Sequence, residues 1–225
     1  MEEQLMEDLS IDCVIFGFTD RLKVLLVKHA EGISKGKWGL PGGWVAKNES
    51  LDAAADRTLK LLTGVENIYL EQLKAFGNVD RFPERRVVTV AYFSFLKDED
   101  HELTPGYTAS EASWFDIEEK PDLIYDHNEI LKFGRDKLKE RVKLEPIGFN
   151  LLPEKFTLYQ LQNLYESILE IELDKPNFRR KILSTNLLID CNEKQENVSH
   201  RAAKLYRFDQ EVYDRLQKEK FYLDW

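Results

Sequence analysis

Gly36-Lys-Trp-Gly-Leu-Pro-Gly-Gly43, running on through Trp44 to Val65, is the stretch that decides how this chain reads. Its glycines mark a glycine-rich loop from Gly32 to Gly43. Ser50 then precedes Leu51-Asp-Ala-Ala-Ala55, an N-cap followed by good helix formers, with Asp52 placed favourably in the helix dipole. Gly64 suits the residue just past the helix end. A glycine loop thus hands the chain to an amphipathic helix.

On the N-terminal side, Ser10 to Phe18 and Leu22 to Val27 are apolar runs joined by the turn Thr19-Asp20-Arg21, and read as two strands. On the C-terminal side, Val87 to Leu96 is too β-branched and aromatic for a helix, and Ala112 to Phe115 reads as a further short strand. Asp126 to Leu138 has helical spacing. These elements predict an α/β domain over residues 1–145.

Residues 146–225 follow a different pattern. Thr157-Leu-Tyr-Gln160 is a capping box, and Leu158, Leu161, Leu164, Tyr165 and Ile168 recur at helical spacing. Asp174 caps a second, short helix that tolerates Pro176 in its first turn. Two extended stretches, Leu187 to Cys191 and Ala203 to Phe208, flank the polar loop Asn192 to His200, and Asp209 opens a last helix to about Lys220. Helix, helix, ribbon, helix is the order of a winged helix-turn-helix.

Charge divides the two parts. The 225 residues carry 32 Lys and Arg against 41 Asp and Glu, a formal net charge of −9, which excludes coating nucleic acid or anionic membrane by bulk charge alone. Pro146 to Trp225 hold 12 basic and 13 acidic residues, so nearly all the negative excess lies in the first domain. Asp174 to Arg207 hold eight basic residues against four acidic ones, the local footprint of a DNA-reading head. Asn177, Arg179 and Arg180 have the chemistry to read base edges, while Lys175, Lys181, Arg201 and Lys204 suit positioning on DNA and phosphates. Cys13 and Cys191 are the only cysteines, too few for a disulfide framework or a four-ligand zinc site. The acidic start Met1 to Asp8 is unlike a signal peptide, and no apolar run spans a bilayer; a soluble, cytoplasmic protein is expected.

The stretch from Gly36 to Val65 resembles the Nudix hydrolase family. Gly43, Glu49, Arg57, Leu59, Gly64 and Val65 fall in register on that family's box. The three helix glutamates that hold magnesium in the hydrolases are replaced by Thr58, Leu61 and Leu62. A threonine and two leucines cannot assemble the hard oxygen shell that magnesium requires. A kept fold without hydrolysis, metal or cofactor is the expectation; Glu71 or Glu84 are the carboxylates that a surviving hydrolase would need. Glu49 and Arg57 read equally as a structural pair.

With Leu151 to Leu158, Asp174 to Lys181 and Leu205 to Phe208 added, nearly the whole chain resembles the Nudix-related transcriptional regulators. The resemblance implies a Nudix-like α/β/α sandwich with a C-terminal winged helix, acting as a homodimeric, effector-released repressor on a two-fold operator. L-arabinose, and hence genes of sugar utilisation, is the first-ranked effector expectation. ADP-ribose and NAD metabolism form the alternative. Lys28, Trp38, Gly42, Gly43, Arg81, Arg86, Asp126 and His127 are the candidate effector-binding residues, being groups that hold hydroxyls or phosphates around a cleft. A pyrophosphatase with an accessory tail and a protein-binding adaptor are the competing classes; strong salt dependence of duplex binding separates adaptor from regulator.

Overall fold

Burial on both faces explains why Ser10 to Phe18 shows no polar–apolar alternation. Every residue of that run is buried within strand β1 (Leu5–Phe18). A computed structural model provides the coordinates, and describes residues 4–97, 102–144, 149, 151–196 and 201–218. The chain divides into two units, Met1–Gly17 with Lys23–Asp136, and Phe18–Leu22 with Lys137–Trp225.

Along the chain, β1 is followed by β2 (Leu22–His29), β3 (Trp38–Gly39), β4 (Gly42–Ala46), helix α1 (Leu51–Thr63), β5 (Glu71–Phe76), β6 (Val88–Phe95), β7 (Ala109–Asp116) and helix α2 (His127–Leu144), which belongs to the first unit up to Asp136. The sheet runs β3-β2-β1-β6-β5, with β4 paired to β1 and β7 to β2. β1 and β6 are parallel, Leu9 facing Val88 through Phe16 facing Phe95. One face of β1, through Ile11, Cys13 and Ile15, packs with Ala54, Ala55 and Leu59 of α1. The other face meets α2, where Gly134 lets the helix approach Val14; an added Cβ would stand 3.1 Å from its side chain. The result is the α/β/α sandwich expected from the sequence.

Helix α1 begins and ends where its caps dictate. Ser50 Oγ accepts the Ala53 N–H, and Gly64 adopts φ 79° while donating to the Lys60 carbonyl. Strands β3, β4 and β5 were absent from the expectation. The first two sit inside the glycine stretch, and β5 is a largely exposed edge strand rich in polar side chains. β7 and α2 extend beyond their expected limits.

The second unit contains α3 (Leu158–Leu169), α4 (Lys175–Ser184), the ribbon β8 (Leu188–Lys194) with β9 (Lys204–Phe208), and α5 (Gln210–Lys218). The capping box is complete: Thr157 Oγ1 accepts the Gln160 N–H, and Gln160 Oε1 accepts the Thr157 N–H. Leu161, Leu164, Tyr165 and Ile168 of α3, with Phe178 and Ile182 of α4 and Tyr206 of β9, are buried. Phe156 joins Tyr206 through reciprocal backbone hydrogen bonds of 2.9 and 2.8 Å, adding a third chain to the ribbon. This is the expected winged helix. Residues 197–200 of the polar loop and 219–220 at the expected end of the last helix lie outside the described residues.

Candidate effector site and nucleic-acid interface

A cavity of about 420 Å³ opens beside α1 in the first unit. Its size falls within the usual range of small-molecule sites, roughly 300–1,000 Å³. The glycine loop forms one wall, where Gly42 leaves no room for a side chain. A Cβ on Gly42 would stand 2.1 Å from Asp12 Oδ1 and 2.8 Å from the Ile11 carbonyl oxygen, and one on Gly43 would press Thr58 at 3.1 Å. Glu49 and Arg57 are a structural pair: the guanidinium donates to both carboxylate oxygens, at 2.9 and 2.6 Å, and to the Trp44 carbonyl. That hydrogen bonding holds the Glu49 carboxyl below its ordinary pKa, against the opposing effect of burial.

A buried charge cluster lies at the cavity. Arg81 donates to both Asp126 oxygens, at 2.9 and 2.8 Å, and to Asp12 Oδ2 at 3.2 Å, with 3% of its side chain exposed. His127 Nδ1 accepts the Leu40 N–H at 2.9 Å, so its proton sits on Nε2, which faces Asp12 Oδ1 at 3.4 Å. Burial lowers the His127 pKa despite Asp12 and Asp126, and lowers that of His29 on the same wall. Both imidazoles are neutral near pH 7.

Aromatic rings complete the wall. Phe82 lies 5.0 Å from Tyr125 and 5.9 Å from Trp44, and Arg85 stacks over Trp44 at 4.7 Å. Tyr125 and Tyr107 both line the cavity in the left-handed backbone region, at φ 51° and 54°. Bulky residues there cost about 1–3 kcal/mol each, and such strain concentrates at ligand sites.

Of the sequence-selected residues, Gly42, Gly43, Arg81 and His127 line the cavity, and Asp126 stands behind the wall as the clamp on Arg81. Lys28 and Trp38 are elsewhere. They face each other across β2 and β3, with Lys28 5.5 Å over the indole and 3.5 Å from Glu111. Arg86 turns away to the Asn78 carbonyl, and its neighbours Glu84 and Arg85 line the wall instead. Thr58, Leu61 and Leu62 all line the cavity, as their shared helical face requires. Glu71 does not. Asp12 and His29 were missed. A carboxylate inside the apolar run of β1 was the signal for Asp12; nothing in the sequence marks His29.

In the second unit, Asp174 Oδ1 accepts the Asn177 N–H and Pro176 occupies the first turn of α4. Phe178 and Ile182 anchor the helix, leaving Lys175, Asn177, Arg179, Arg180 and Lys181 exposed on it. Asn177 Oδ1 accepts a 2.8 Å hydrogen bond from Arg180. Arg201 is exposed before β9, and Lys204 on β9 pairs with Asp190 on β8 at 2.7 Å. Arg179 on α4 and Arg201 and Lys204 at the ribbon are all exposed.

Comparison with known proteins matches both units. Residues 6–133 match the NUDIX domain model and residues 148–208 the NrtR DNA-binding winged helix domain. The chain is 32% identical over 211 residues, 92% of its length and 84% of the relative's, to the ADPR responsive transcriptional repressor NtrR of Acinetobacter baylyi. It matches the crystal structure of Shewanella oneidensis NrtR complexed with a 27mer DNA at a TM-score of 0.73 and 29% identity, over 92% of this chain and 95% of that one. The NUDIX domain of Shewanella oneidensis NrtR complexed with ADP ribose matches at a TM-score of 0.55 and 31% identity, over 61% of this chain and 90% of that one. Among the described residues no helix is long and apolar enough to cross a membrane.

Proposed function

Because the chain belongs to the Nudix-related transcriptional regulators, ligand-responsive DNA-binding proteins, we propose that it is a repressor whose effector is ADP-ribose. The observation that carries this reading is the nearly full-length likeness to a repressor named for ADP-ribose. The cavity fits it. Its aromatic and guanidinium groups, Trp44, Phe82, Tyr125 and Arg85, suit a base and a diphosphate. L-arabinose, ranked first on the sequence alone, has neither, and is displaced by ADP-ribose in this reading.

The first unit binds its effector without hydrolysing it, since Thr58, Leu61 and Leu62 stand on the wall where magnesium carboxylates are needed. The effector domain covers residues 1–145 as read from the sequence, whereas the compact units divide earlier, between Asp136 and Lys137. The DNA-binding domain covers 146–225, and the chain acts in the cytoplasm as a homodimer on an operator with two-fold character. Lys175, Asn177, Arg179, Arg180, Lys181, Arg201 and Lys204 meet the DNA, α4 entering the major groove.

Titration calorimetry in EDTA tests the effector assignment. ADP-ribose should release or absorb heat with a one-to-one stoichiometry per chain while L-arabinose gives none. Binding of the sugar alone would restore the first-ranked expectation.

A further inference from the structure

Two residues that line the cavity each carry a buried polar atom with no hydrogen-bond partner among the described residues: Thr58 Oγ1 and His29 Nε2. Thr58 is 4% exposed, and it stands at a position where the hydrolases it resembles carry a carboxylate. Folded proteins leave few such groups unmet, because a buried, unsatisfied hydroxyl forfeits its hydration without replacement. Neither group is idle filler. A valine has the shape of threonine without the hydroxyl, and would pack against Gly43 as well as Thr58 does. An imidazole at position 29, at the end of a strand whose Val27 packs on Leu62 of α1, likewise exceeds what packing asks for.

Both groups are neutral and versatile. The hydroxyl donates one hydrogen bond and accepts others, and an uncharged imidazole nitrogen does one or the other according to tautomer. The burial that lowers the His29 pKa keeps it uncharged near neutral pH. The guanidiniums on the deeper wall are already committed, Arg81 to Asp12 and Asp126, and Arg57 to Glu49. Oxygens of a ligand reaching α1 therefore meet hydrogen-bonding groups beside a guanidinium, Arg57, that is already paired with Glu49.

We propose that Thr58 Oγ1 and His29 Nε2 contact the effector directly, binding oxygens of a sugar or phosphate group in place of the metal that the hydrolases use. This rests on the ADP-ribose reading above and adds that recognition on α1 is metal-free and hydroxyl-mediated. Thr58 then acts in opposite senses in the empty and the liganded protein. Removing its hydroxyl relieves an unmet polar group in the empty protein but deprives the bound ligand of a partner.

The test is calorimetry of ADP-ribose, and of ribose 5-phosphate as a fragment, with the full chain in EDTA, together with thermal unfolding without ligand. Thr58→Val should weaken ADP-ribose binding about tenfold, the worth of a lost hydrogen bond near 1.4 kcal/mol, while leaving the unliganded melting temperature unchanged or higher. Thr58→Ser, which keeps the hydroxyl, should bind within about twofold of wild type, less than 0.5 kcal/mol. His29→Asn, which removes the Nε2 position, should weaken binding, and His29→Gln, which reaches it, should restore most of the affinity. A parallel loss for ribose 5-phosphate places the contact on the sugar-phosphate that the two ligands share; loss for ADP-ribose alone places it on the adenosine half. Wild-type affinity in both Thr58→Val and His29→Asn, or a lower unliganded melting temperature in Thr58→Val, would overturn the proposal while the ADP-ribose reading stands. Absence of ADP-ribose binding by the wild type would defeat that reading and this inference with it.

Discussion

Helices α1 and α4 are built alike and used in opposite ways. Each is opened by a short polar side chain that accepts the N–H three residues on, Ser50 in one and Asp174 in the other. Each is fixed by apolar residues on its inner side, Ala54, Ala55 and Leu59 in α1 and Phe178 and Ile182 in α4. The remaining faces diverge. The α1 face toward the cavity carries Thr58, Leu61 and Leu62, whereas α4 exposes Arg179, Arg180 and Lys181. At the cavity, the one charge that α1 presents is paired with Glu49; on α4 charge stands in water, where it is cheap to keep and available to phosphates.

The sharpest way to break this contrast is to remove charge from each side in turn. Arg81→Ala strips the only described partner shared by Asp12 and Asp126 and should cost about 3–5 kcal/mol of stability. Arg180→Ala, on the exposed face of α4, should change stability by no more than about 0.5 kcal/mol. Urea unfolding of both variants measures the difference; equal losses would mean that Arg81 is not the buried keystone described.

Within the basic surface, Arg179 and Lys204 should separate by kind of effect. Arg179→Ala should relax preference at one base pair by about 1–3 kcal/mol if its contact is bidentate. Lys204→Ala should weaken all duplexes alike and reduce the salt slope by about one. Binding to selected and scrambled duplexes over a salt series checks both. Unaltered binding in both variants would place the reading head on another element.

The smallest effect is a pH dependence confined to the cavity side. His29 and His127 have folded-state pKa values below the ordinary 6.5, so the unfolded chain binds protons more readily. Their neutral forms contribute stability that is complete above pH 6.5 and is lost as pH falls below it. Urea midpoints at pH 7.5 and 5.5 should therefore fall on acidification, and fall less in His127→Gln. Identical pH sensitivity in that variant would remove His127 as a source.

The two helices also show what could be read from the chain. Ser50, Gly64, the Thr157 box and Asp174 act locally, through bonds to residues three or four away, so α1, α3 and α4 and their registers were legible. The spacing of Thr58, Leu61 and Leu62 put them on one face for the same reason. The cavity was harder, because its wall joins residues far apart in the chain, such as Asp12, His29, Arg81 and His127. Arg85 and Arg86 differ by one position, and only the fold decides that Arg85 meets the wall while Arg86 reaches Asn78. Lys28 and Trp38 had suitable chemistry, but the β2–β3 register pairs them with each other instead.

In the proposed function, a metal-free effector site on one unit governs DNA binding by the other. Fluorescence anisotropy of the full chain on a duplex recovered by in vitro selection, titrated with ADP-ribose in EDTA, tests it most directly. DNA affinity should fall at least tenfold, about 1.4 kcal/mol of coupling, with the ADP-ribose recovered intact and the same factor appearing when DNA weakens ADP-ribose binding. Unchanged DNA affinity at saturating ADP-ribose, or release that requires magnesium and consumes the ligand, would contradict it.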